Sequence, residues 1–162
     1  TEESAHLVSN LHANLGGLYR MNGYPYLARE HMEESLFLLE QYNLLYTNDS
    51  IPQITNYAML LTEQQDPEKG ISILQKLLKI IKKYNSDGCL DYATVQESIG
   101  TIYLLTANLP QAKTHFKKAM KIYEDVLADE PDLIEEKYQE IRELCPQVGI
   151  ALAKNILASK NK

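Results

Sequence analysis

A chain of 162 residues, 44% hydrophobic and 23% charged, can bury about 70% of its unfolded surface without a metal or disulfide staple, and its composition excludes a disordered tail, a collagen-like fibre and a disulfide scaffold. The net charge of −6 is concentrated at the front: residues 1–50 hold seven acids against two bases, residues 51–100 six against five, and residues 101–162 nine against nine. An acidic chain is a poor nucleic-acid binder, and no run approaches the ~18 uncharged apolar residues of a membrane span, so neither nucleic acid nor membrane is an expected partner.

The acidity serves solubility or favours a neutral to basic partner. Cys89 and Cys145 have no metal-ligand spacing. They read as reduced thiols of a cytoplasmic protein, with a single disulfide as the alternative. No basic-then-apolar leader is visible, and the start at Thr1 without methionine leads to the expectation of a segment cut from a longer protein.

Apolar residues recur at three- and four-residue steps almost throughout, as in Leu7, Leu11, Leu15, Leu18 and in Ile71, Leu74, Leu77, Leu78, Ile81. The spacing predicts helices over 4–22, 25–42, 52–64, 67–84, 91–107, 109–127, 131–144 and 146–159, joined as antiparallel hairpins. Asn22–Gly23 reads as the first turn. Pro25, Pro52, Pro67, Pro110, Pro131 and Pro146 each open an apolar-periodic run, where the missing N–H is harmless. Asp66, Asp91 and Asn108 read as helix caps.

The chain repeats itself. Starts at Ser9, Ile51 and Ala93 lie 42 residues apart. At position eight of each copy stand Gly16, Ala58 and Gly100, and at position twenty Ala28, Gly70 and Ala112. Small residues there let the two helices of a hairpin approach closely. Large residues fill position seven (Leu15, Tyr57, Ile99), position eleven (Tyr19, Leu61, Tyr103) and position twenty-four (Met32, Leu74, Phe116); position twenty-seven holds Ser35, Leu77 and Ala119.

With these columns the sequence resembles the tetratricopeptide repeat family, most clearly in Ile99–Gly100–Thr101–Ile102–Tyr103 followed by Ala112, Phe116 and Ala119. Its 42-residue spacing is similar to the longer-helix variant of kinesin light chains. Three departures stand out: His12, Ile54 and Gln96 replace the usual tryptophan at position four, Gly70 and Leu77 replace common alanines, and Arg142 fills a small-residue position in a fourth copy. The resemblance implies an all-α, right-handed α-α superhelix in a single domain, 1–162. It would hold repeats at about 9–50, 51–92 and 93–134, with a degenerate capping hairpin at 131–162.

It also implies a non-catalytic protein–protein interaction scaffold that binds a peptide or protein segment in a concave groove lined by the first helix of each hairpin. The groove residues carried over are Asn10, Asn14, Gly17, Arg20 and Met21, then Asn56, Met59 and Glu63, then Glu97, Ser98 and Thr101. Position six reads Asn14, Asn56, Ser98. These are either rungs of a ladder that satisfies a peptide backbone or solvated polar residues. Family members that clamp acidic chaperone tails carry lysine, asparagine and arginine where this chain has Ala13, Gly17, Thr55, Glu97 and Thr101, so Hsp70 and Hsp90 C-termini are not expected ligands. Met21, Met59, Leu104 and Leu105 suggest an apolar groove, unless a leucine packs under helix 131–144.

No enzyme, metal or cofactor is expected. His6 and His12 do not share a helical face, His31 beside Glu34 reads as solvated, and His115 has no evident nucleophile partner. The lysine stripes Lys76, Lys79, Lys83 and Lys113, Lys117, Lys121 read as a solvated convex face, and no phosphate loop or nucleophile elbow occurs. Two other functional readings stand beside the scaffold. One is a peptide-sensing module of a larger, transcriptional regulator. The other is a structural subunit that forms a homo-oligomer through Tyr42, Leu44, Leu45 and Tyr46.

Overall fold

The computed structural model describes residues 1–45, 50–144 and 146. They form seven helices and no strand: α1 (Glu2–Met21), α2 (Pro25–Gln41), α3 (Ser50–Glu63), α4 (Pro67–Tyr84), α5 (Leu90–Leu105), α6 (Leu109–Val126) and α7 (Pro131–Leu144). All of the expected helix 146–159 except Pro146, together with Cys145, Tyr46 and Asn48–Asp49, falls outside the described residues. The chain divides into two compact units, Thr1–Tyr84 with α1–α4 and a second that begins at Asn85.

Helix starts follow the caps read from sequence, with one correction. Asp66 accepts from Lys69 N–H at 3.3 Å and Asn108 from Gln111 N–H at 3.3 Å. Asp91 is not a cap. The extended residue before α5 is Cys89, and Asp91 lies in the first turn, where its charge faces the positive end of the helix dipole. Helix α3 starts at Ser50, two residues before the expected boundary. Pro52 is tolerated in that first turn because its N–H would have had no partner there.

Each hairpin turns by the same device. The N–H groups of Tyr24, Asp66 and Asn108 reach back five residues to the carbonyls of Tyr19, Leu61 and Tyr103 at 2.9, 2.9 and 2.8 Å. The preceding residues, Gly23, Gln65 and Ala107, all have positive φ, of 79°, 67° and 60°. This is the Schellman closure of a helix C-terminus. Glycine makes it without strain in the first hairpin, while glutamine and alanine occupy the same column in the other two.

The small-residue columns do close the seams. A Cβ on Gly16 would lie 2.7 Å from Met32 Cγ, one on Gly70 2.7 Å from the Ala58 carbonyl, and one on Gly100 3.1 Å from the Phe116 ring. In the first unit, α3 packs on α2 through Tyr57, Leu60 and Leu61 against Ala28 and Met32. In the second unit, α7 docks on α6 and buries Tyr138 and Ile141 beside Phe116, Met120 and Tyr123. Leu104 packs against that cluster, while Leu105 stays 60% exposed. Arg142, standing in the small-residue column of the fourth copy, buries an Nε that has no partner among the described residues.

One column changes character along the chain. Leu18, Leu60 and Ile102 share position ten of the repeat. Leu60 and Ile102 are 1% and 0% exposed, Leu18 is 56% exposed.

Candidate protein-interaction surface

The carried-over groove residues of the first unit lie on α1 and α3, helices that touch each other. Asn14, Met21, Asn56 and Glu63 are exposed, and Asn10, Gly17, Arg20 and Met59 half-buried. Neither the Asn14 nor the Asn56 amide has a partner among the described residues. Glu97, Ser98 and Thr101 belong to α5 in the other unit and are half-buried.

Several of these side chains are already engaged. The Arg20 guanidinium makes a two-pronged ion pair with Glu63, with Nε donating to Oε2 at 2.8 Å. That hydrogen bond raises the arginine's affinity for its proton. It also ties α1 to α3. Asn10 accepts from Gln53 Nε2 and donates to His6 Nδ1 at 3.4 Å. Glu97 accepts from Tyr123 O–H at 2.8 Å and has Lys137 Nζ at 3.9 Å. The Ser98 and Thr101 hydroxyls donate to Thr94 O and Glu97 O of their own helix, both at 3.0 Å. Ser98 therefore has only lone pairs to offer a ligand, unlike the two asparagines.

Polar contacts that the sequence reading missed hold the hairpins together. Ser35 Oγ donates to Gln53 Oε1 at 2.8 Å, and Ser9 Oγ lies 3.0 Å from Ser35 Oγ. This buried cluster joins α1, α2 and α3. His12 and His31 meet Nδ1 to Nδ1 at 2.8 Å, and Tyr19 stacks on His31 with centroids 5.3 Å apart. One unit further on, His115 Nδ1–H donates to Gln96 Oε1 at 2.6 Å and Tyr103 stacks on His115 at 5.5 Å. His31 is thus not the solvated side chain that its neighbour Glu34 suggested, and the partner of His115 is a glutamine rather than a nucleophile.

The four residues occupy positions four and twenty-three of their repeats, where the second repeat carries Ile54 and Ile73. Those two line an apolar hollow of about 230 Å³ together with Leu36, Leu45 and Leu77. Leu45, half-buried, thus borders a hollow of the first unit. Burial pushes His115 down to about 4, helped by the charge of Lys118.

Other candidate chemistry is thin. Among the described residues no three His, Cys, Asp or Glu side chains are grouped to hold a metal ion. No described helix is long and apolar enough to cross a membrane. Lys76, Lys79, Lys83, Lys117 and Lys121 are exposed.

Residues 50–125 match the tetratricopeptide repeat family, over the second and third 42-residue copies. That stretch is of tetratricopeptide repeat type. The whole chain is similar in fold to a solved structure, BtubC (BKLC) from P. vanneervenii, with a TM-score of 0.73 at 18% identity over 97% of this chain. It spans 66% of that protein. No curated protein matches it. The tetratricopeptide assignment gives the paired helices their meaning: α1, α3 and α5 are the first helices of successive hairpins, and α2, α4 and α6 the second.

Proposed function

We propose that this chain is a non-catalytic scaffold that holds a peptide or protein segment along the first helices of its hairpins, in keeping with the usual role of tetratricopeptide repeats in protein–protein interaction. The observation that carries the reading is the pair of exposed amides of Asn14 and Asn56, without a partner among the described residues, one repeat apart on adjoining helices α1 and α3. Each can donate and accept, so each can satisfy a peptide unit of an extended ligand whatever its side chains. Met21 and Met59 flank them with adaptable apolar surface. Asn10 and Gly17 complete the proposed lining in the first unit, and Glu97, Ser98 and Thr101 are the corresponding residues of α5 in the second. The Arg20–Glu63 pair braces it, because a guanidinium already bonded to a carboxylate is a poor anchor for a ligand's acidic terminus.

The test is a side-by-side affinity capture with the wild-type domain and the Asn14→Ala, Asn56→Ala variant. A protein retained by the first and lost with the second is expected, with affinity reduced by about 1–3 kcal/mol. Both positions are exposed, so circular dichroism should report the same helix content. An identical set of proteins on the two baits would remove the amide ladder from consideration.

A further inference from the structure

The second unit has a hollow of its own, about 390 Å³ between α5, the end of α6 and α7, a size that ligand pockets commonly have. Leu90, Leu127 and Leu133 give it apolar walls, and Leu90 and Leu133 are still 41% and 40% exposed. Thr94 borders it one turn before Glu97. The hollow therefore lies on the face of α5 that carries the proposed peptide lining.

Its polar groups are mostly acceptors. The Tyr123 O–H donates to Glu97 Oε2 at 2.8 Å and the Thr94 hydroxyl to Leu90 O at 3.1 Å, so neither proton is left for a ligand. Glu136 and Glu140 are exposed on α7, and Glu136 has no partner among the described residues. The cation of the lining is Lys137. Its ammonium lies 2.7 Å from Glu140 Oε2 and 3.9 Å from Glu97 Oε2, over the Tyr123 ring at 5.3 Å from the centroid.

Three carboxylates, Glu97, Glu136 and Glu140, thus surround one ammonium. Lys137 registers the excess. Burial weakens its hold on the proton, but the Glu140 hydrogen bond and the charges of Glu97, Glu140 and Glu136 more than restore it. Glu136 and Glu140 stand one turn apart on the same side of α7. The group that complements this lining is a cation with several donors and no acceptor, carried on an apolar stem. A guanidinium meets each condition. Its five N–H donors form a planar fork that can serve two carboxylates at once, it is less strongly hydrated than an ammonium, and its methylenes can lie along leucine side chains.

We propose that this hollow seats an arginine of a partner protein segment, with the guanidinium between Glu136 and Glu140 and an adjoining apolar residue against Leu90 and Leu133. The proposal rests on the reading of the chain as a holder of protein segments and names what its second unit selects. Asn14 and Asn56 take no part in it.

Amide NMR shifts of the isotope-labelled 162-residue chain, titrated with a capped leucine–arginine–leucine peptide, test it. Saturable shifts are expected at Leu90–Thr94 and Leu133–Glu140. The citrulline counterpart, which keeps the shape and lacks the charge, should bind about fivefold more weakly, the loss of two exposed charge pairs. Glu136→Gln with Glu140→Gln should weaken the arginine peptide by about the same factor with unchanged circular dichroism, since both side chains are exposed. Added salt should weaken the arginine peptide alone. The Asn14→Ala, Asn56→Ala variant should bind it as wild type does, so the two readings fail separately. No saturable shift, equal binding of the arginine and citrulline peptides, undiminished binding by the double glutamine variant, or tighter binding of a leucine–glutamate–leucine peptide would each overturn the proposal.

Discussion

Ala107 holds the left-handed position of the third hairpin's turn at a φ of 60°, and Ala107→Gly should raise the stability of the chain. An L-residue in that region is disfavoured by about 1–2 kcal/mol. Glycine removes this strain but makes the unfolded chain more flexible, which takes back roughly 0.4–1 kcal/mol. Ala107 is exposed, so its methyl group contributes no burial to lose, and the Ala107 N–H bond to Leu104 O at 3.1 Å survives the change. The net gain is about 0.5–1 kcal/mol, or a few degrees of Tm for a chain of this size. Gln65→Gly should gain a similar amount in the first unit. Gly23→Ala, at a φ of 79°, should lose about 1 kcal/mol. Urea denaturation followed by circular dichroism measures all three. If Ala107→Gly and Gly23→Ala shift the midpoint in the same direction, the claim that one strained column is shared by the three turns is wrong.

Two further outcomes are expected. Gly70→Ala forces a methyl group to within 2.7 Å of a backbone carbonyl, whereas Gly100→Ala meets a phenylalanine ring at 3.1 Å. Overpacking of about 1–3 kcal/mol should outweigh the ~1 kcal/mol gain in helix propensity more decisively at Gly70, and thermal melts of both variants will show whether that order holds. His115, held near 4 in the folded chain against 6.5 unfolded, lets the unfolded state take up the proton first as pH falls. Its contribution is full above about pH 6.5 and fades towards pH 4. After discounting for solvent around a partly exposed ring, the loss is roughly 1–2 kcal/mol. Gln96→Ile with His115→Ile, the residues of the second repeat, should flatten the pH dependence of urea midpoints between those values.

The period of 42 residues was legible because close packing writes it into residue size. Gly16, Ala58 and Gly100 sit where a neighbouring helix leaves no room, and three such sites at equal spacing leave few alternatives. The strained turns were legible at Gly23 alone, since glutamine and alanine carry no signal for a left-handed backbone. Only their place in Gly23's column betrays Gln65 and Ala107. Asn10 shows why the site was harder to read than the fold. A polar side chain on a helix face looks the same in sequence whether it meets water or, as here, Gln53 of the next hairpin. His12 and His31 lie nineteen residues apart on different helices, so no spacing rule within one helix could join them. The signal was there across the repeats, in His with His, Ile with Ile and Gln with His at the same two positions.

That paired choice sets the unit of exchange in this architecture. A hairpin whose two helices meet through histidines cannot trade one helix with a hairpin that meets through isoleucines, because either hybrid would press an imidazole against an aliphatic side chain with no partner for its ring nitrogen. Whole hairpins can be traded, because both halves of the match travel together. Duplication and shuffling in a lineage built this way are expected to break between hairpins and to spare the short turn within them.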